Sequence, residues 1–97
     1  MSDEPAVTVR ENAAENRFEA LDEGGAVAGF AAYRRSGDQV VFTHTEVDDA
    51  FEGQGVGSSL VRAALDAVRA EGVRVVAQCP FVTSYIEEHR EYADLLG

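Results

Sequence analysis

The chain has 97 residues, 45% of them hydrophobic, and a formal net charge of −10. That length suits a single domain, residues 1–97, with one core, and no apolar run is long enough to span a membrane. The excess of carboxylates over basic groups, all eight of which are arginine, excludes free nucleic acid and anionic membrane surfaces as partners.

The start, Met1-Ser2-Asp3-Glu4, lacks the basic and apolar regions of a signal peptide. The single cysteine, Cys79, excludes an intramolecular disulfide and fits a reducing compartment. A cytoplasmic protein is the expectation. Its acidity either draws in cationic, amine-bearing substrates or forms a solvated surface.

Residues 5–10 read as a short strand with alternating apolar positions. Residues 16–21 alternate again, with Phe18 and Ala20 on one face. Asp22-Glu23-Gly24-Gly25 is a hairpin turn signal. Residues 26–34 form a small, apolar third strand whose end, Arg34 and Arg35, reads as solvated. After a turn at Ser36-Gly37-Asp38, residues 39–47 form a fourth strand, so the first half is an antiparallel meander. The period then changes. Val56, Leu60, Val61, Ala64, Leu65 and Val68 recur at helical spacing over 56–70, with Arg62, Asp66 and Arg69 opposite and Gly72 as the stop. Residues 73–78 are a β-branched strand that completes a β-α-β crossover with the fourth. Residues 81–89 form a short helix and 92–96 a terminal turn. The fold class is α+β (mixed α/β).

The segment Glu52-Gly53-Gln54-Gly55-Val56-Gly57-Ser58-Ser59 joins the fourth strand to the long helix. Its glycines let backbone N–H groups approach a ligand closely, and the helix behind them presents free N–H groups and a partial positive charge. Together these suit a phosphate or pyrophosphate. A Walker A loop is excluded, because it needs a lysine. A dinucleotide fingerprint fails too: Ser58 stands in place of the third glycine, and a meander precedes the loop. A tight strand-to-helix turn without a ligand is the other reading.

The residues Glu52 to Ser58 resemble the Arg/Gln-x-x-Gly-x-Gly/Ala motif of the GNAT N-acetyltransferases. Two further blocks support the likeness, His44-Thr45-Glu46-Val47 and Cys79-Pro80-Phe81-Val82 with Tyr85-Ile86, His89 and Glu91-Tyr92. The resemblance covers the chain from about residue 16 and is to the short, single-domain subgroup. It implies a GNAT-like meander, a pyrophosphate-loop helix, a fifth strand parallel to the fourth and a C-terminal helix. It also implies acetyl-CoA or CoA as cofactor and transfer of an acetyl group to an amine of a protein or metabolite. The alternative is a CoA-binding module without turnover. Glu52 departs from the motif, since a carboxylate cannot donate to a phosphate. The cofactor contacts implied are therefore Gly53, Gln54, Gly55, Val56, Gly57, Ser58 and Ser59, with backbone groups near Val47 on the pantetheine arm and Tyr85 at the cofactor.

Acetyl transfer needs a positioned thioester, a base for the amine and a proton for the leaving thiolate. His44 and Glu46 lie two apart on one strand and share a face, so either can accept a proton, unless that face is simply hydrated. Cys79 closes the fifth strand, which in the resembled fold faces the cofactor sulfur. It is either an acetyl-accepting nucleophile, with His89 a candidate activator, or a small buried residue lining the site. Tyr85 is the counterpart of the family's general-acid tyrosine, or an aromatic packed with Phe81 on the sheet.

Overall fold

The computed structural model describes residues 7–51 and 55–96. One sheet carries five strands in sequence order: β1 (Thr8–Asn12), β2 (Arg17–Leu21), β3 (Val27–Ser36), β4 (Gln39–Val47) and β5 (Arg74–Ala77). The first four form an antiparallel meander, and β5 runs parallel to β4. Helix α1 (Val56–Glu71) links β4 to β5, and α2 (Pro80–Glu88) follows. A 3₁₀ turn at Arg90–Leu95 ends the described chain. Neither helix is long and apolar enough to cross a membrane.

The expected mixed architecture is what the chain adopts. Val56, Leu60, Val61, Ala64, Leu65 and Val68 are all buried against the sheet, and Gly72 caps the helix in the left-handed conformation that suits glycine. Both helices share one core with Phe18, Ala20, Ala31, Tyr33, Val40 and Phe42. The polar side of α1 is exposed, and two of its side chains have partners in the C-terminal turn. Asp66 accepts a hydrogen bond from Tyr92 Oη at 2.7 Å, and Arg69 grips Asp94 and the Glu91 carbonyl. Arg34 and Arg35 are exposed, as the solvated strand end predicts, and Arg35 also pairs with Glu11 and Glu71.

The first strand begins at Thr8 rather than at residue 5, and Pro5 and Ala6 lie outside the described residues. The tight turn Ala13–Glu15 sets this register. The Asn12 side chain accepts from Glu15 N, and Asn16 adopts the left-handed conformation at φ 56°. Strand β1 then pairs from Thr8↔Leu21 to Asn12↔Arg17, which sets Arg10 beside Glu19.

Glu19 is a charged side chain with 1% of its surface exposed. Its carboxylate accepts from Arg10, from Asn12 and from Arg17 Nε at 2.7 Å. Burial opposes ionisation, but the hydrogen bonds from Arg17, Asn12 and Arg10 outweigh it and hold the group below its ordinary 4.5. A lowered folded-state value means stability that is present above about pH 4.5 and lost as pH falls through the folded value. Melting temperature should drop between about pH 5 and about pH 3, and Glu19→Gln should flatten that drop while costing on the order of 2 kcal/mol at neutral pH. Thermal melts across this range check it; an equally steep drop in the variant would assign acid lability elsewhere.

Candidate active site

The site grows from two irregularities of β4. Phe42 pairs with Tyr33 and His44 with Ala32, so Thr43 is an extra residue, a bulge. On the other side β5 pairs only with Gln39–Phe42. The last rung is shared: Gln78 N and Cys79 N both donate to the Phe42 carbonyl at 3.0 Å. Beyond it the two parallel strands part, and residues 43–47 have no strand partner on that side among the described residues.

Helix α1 begins at this fork. Gly55 is its N-cap at φ 78°, and no side chain caps the helix. The first intrahelical bond runs from Ser59 N to the Gly55 carbonyl at 3.0 Å. That bond leaves the amides of Val56, Gly57 and Ser58 free of intrahelical partners, while the amide of Ser59 is committed. Val47, Phe51, Gly55, Val56, Gly57, Ser58 and Phe81 line a cavity of 200 Å³ here. Gly57 permits it: a Cβ at that position would lie 2.6 Å from the Phe81 ring. Phe81, 41% exposed, was expected to pack on the sheet; it stands instead over the helix N-terminus. Gly53 and Gln54, with Glu52, lie outside the described residues.

The bulge decides which catalytic candidates meet. Phe42 faces the core with Phe18 and Tyr33. Strict alternation would turn His44 and Glu46 to that same side. The extra residue at Thr43 reverses them, so His44 and Glu46 stand on the helix-free face, and Thr45 and Val47 face the core. His44 Nε2 lies 3.7 Å from Glu46 Oε2, both side chains are exposed, and the imidazole rests near Phe30, ring centres 6.0 Å apart.

Cys79 is on the core side, 3% exposed, with Sγ 3.2 Å from Thr45 Oγ1. The structure thus pairs His44 with Glu46 and Cys79 with Thr45 but keeps the two pairs on opposite faces. His89 does not reach Cys79. They are the C-cap and N-cap of α2, about 15 Å apart along a helix, and His89 stacks on Tyr85 at 4.0 Å. Tyr85 lies one turn beyond Phe81, outside the cavity lining. Burial, with Glu91 and Asp66 nearby and Arg62 opposing, raises the pKa of its hydroxyl.

A second depression of 440 Å³ opens at the same end of β4, lined by Arg17, Phe30, Glu46, Val47, Asp48 and Asp49 among others. Val47 borders both hollows. The sequence reading singled out neither Thr45 nor the group Arg17, Glu19 and Phe30. The period-two polar residues Arg10, Asn12, Arg17 and Glu19 around a turn were the available signal.

An uncapped, glycine-opened helix end beside a strand fork fits a carrier with a phosphate at one end and its reactive group at the other. That is the class of site a coenzyme-dependent group transfer calls for. The chain belongs to the GCN5-related N-acetyl-transferase family, whose model matches residues 17–95. The acetyl donor of that family is acetyl-CoA. Protein NATD1 of Homo sapiens is 36% identical over 58 residues, 59% of this chain and 51% of the human protein. The chain therefore spans about half the length of the curated relatives it matches. A GCN5-like N-acetyltransferase from Staphylococcus aureus superposes with a TM-score of 0.71 at 28% identity, over 95% of this chain and 89% of that one. A GNAT family N-acetyltransferase from Escherichia coli, solved in complex with CoA, matches at 0.57 and 28% identity, over 63% of this chain and 38% of that one.

Proposed function

We propose that this protein is an acetyl-CoA-dependent N-acetyltransferase acting on an amine. The observation that carries the proposal is Val47. It borders the cavity at the helix N-terminus on one side and the pocket holding Glu46 on the other, so a donor and an acceptor site meet at one residue. The free amides of Val56, Gly57 and Ser58 hold the pyrophosphate, joined by the glycine turn before them. The backbone of residues 43–47, paired with β3 on one side and open on the β5 side, takes the pantetheine arm. Acetyl-CoA would supply a thioester carbonyl open to attack by an amine; as the C–N bond forms the C–S bond breaks, and the CoA thiolate leaves and takes its proton from solvent. Glu46, on the acceptor side, takes the proton of the incoming amine, directly or through water, and His44 at 3.7 Å steadies the carboxylate. A single buried thiol and an acidic surface suit the cytoplasm.

The test is calorimetry with CoA and acetyl-CoA, beside acetyl-CoA consumption with a panel of amines. Binding followed by amine-dependent turnover upholds the reading. Binding with no turnover on any amine would make the chain a CoA-binding module, and no binding would remove the site altogether.

In this reading Cys79 lines the cofactor site and is not a nucleophile, because it is buried, held by Thr45 and across the sheet from the base. Cys79→Ser keeps the polar contact with Thr45 and should retain activity within about threefold. Intact mass after incubation with acetyl-CoA should show no acetyl group on Cys79. The chain has no lysine to confuse the result. An acetyl-Cys79 that turns over at the overall rate would show a covalent route instead.

A further inference from the structure

The 440 Å³ pocket holds an arrangement that proton transfer alone does not require. Arg17 lines it, and two contacts fix the guanidinium, one of them to an anchored partner. Its Nε donates to Glu19 Oε2 at 2.7 Å, its Cζ lies 4.7 Å from the centre of the Phe30 ring, and Glu19 is itself buried and anchored by Arg10 and Asn12. Glu19 engages Nε; among the described residues nothing binds the two terminal nitrogens. Arg10 and Asn12 already give Glu19 three hydrogen bonds, so neutralising the buried carboxylate does not by itself call for Arg17. What Glu19 adds is placement. A guanidinium held over an aromatic ring at the edge of a pocket, with its terminal nitrogens not engaged by Glu19, is preorganised for a carboxylate.

Across the pocket stands Glu46. Glu19, Phe30 and Glu46 are direct neighbours on β2, β3 and β4, so the Arg17 guanidinium over Phe30 and the Glu46 carboxylate one strand further on border one depression. Adjacent strands are about 4.8 Å apart, so the two charges lie between about 5 and about 10 Å from each other. Asp48 and Asp49 extend the negative wall at Glu46. The floor is close-packed: a Cβ on Gly29 would lie 2.8 Å from the Glu46 carbonyl oxygen.

We propose that the acceptor is a zwitterionic aliphatic amine, with a carboxylate bound by Arg17 and an amine presented at Glu46. A chain of about five methylenes, lying along the line between the two charges, matches that separation. This rests on the acetyltransferase reading for its chemistry, but the pocket's selectivity can be measured without cofactor. The probes are ε-aminocaproate, which has both charges, and hexylamine and caproate, which have one each.

Titrations followed by nuclear magnetic resonance, with and without CoA, should show ε-aminocaproate binding at least about tenfold tighter than either single-charge probe. The shifts should fall on the Arg17 Nε–Hε signal and on the amides of Phe30 and Glu46. Arg17→Gln should bring ε-aminocaproate down to the level of hexylamine while hexylamine itself is unchanged. If that variant does not fold, the ranking of the three probes on the parent still decides. Equal binding of hexylamine, shifts confined to other residues, or no binding of any probe would overturn the proposal. Selective binding by a protein with no CoA affinity would uphold the pocket and overturn the acetyltransferase reading; CoA binding with no probe selectivity would do the reverse.

Discussion

Gly57→Val should lower CoA affinity by about a hundredfold or more while the domain stays folded. The free amides at this helix end would each lose a charge-assisted hydrogen bond worth about 1.5–3 kcal/mol, and two such losses reach that factor. Stability should change little, because the ring that a Cβ would strike belongs to Phe81, which is 41% exposed and free to swing aside. That displacement offers a competing explanation, since Phe81 also borders the cavity. Gly57→Ala combined with Phe81→Ala separates the two. If CoA still fails to bind, the lost space is the ligand's. If binding returns, the ring was the obstacle and the amides are reached by another route. A Gly57→Val protein that binds CoA like the parent would remove the helix end from the site. Gly55 differs: a Cβ there meets nothing within 4 Å, and its φ of 78° is what demands glycine.

Much of this architecture was legible because its causes are local. The helical period of Val56 to Val68 and the alternation of β2 and β3 each point one way, and Gly72 ends α1 where a left-handed residue is needed. The first strand was read early because its register depends on the turn at residues 13–16 and on pairing with Glu19, neither of which its own composition shows. The site was legible in its parts but not in its assembly. His44 and Glu46 were rightly placed on one face of one strand, yet a single extra residue at Thr43 sets that face away from Cys79. A bulge has no strong composition of its own, and it inverts every side chain after it. Arg17 and Glu19 escaped notice for a related reason. Their further partners sit on β1 and β3, and a buried carboxylate looks in sequence like a solvated one.

That inversion makes the second large effect a test of the whole arrangement. Glu46→Gln should lower kcat by between about a hundredfold and ten-thousandfold, the range expected for loss of a general base. CoA affinity should stay within about twofold, because Glu46 borders the acceptor pocket and not the cavity at the helix end. His44→Ala should cost only about tenfold, since His44 touches the carboxylate from the side and lines neither hollow. The acid limb of the kcat/KM profile should vanish in Glu46→Gln and persist in His44→Ala. The opposite pattern would make histidine the proton acceptor. Equal losses would make the pair one unit, for which the double variant should be no worse than either single one. Because the bulge turns Glu46 away from the cofactor side, a base at Glu46 requires the amine to approach from the helix-free face. A Glu46→Gln enzyme with parental kcat would mean that the amine loses its proton before it binds, and the carboxylate would then serve only to hold its charge.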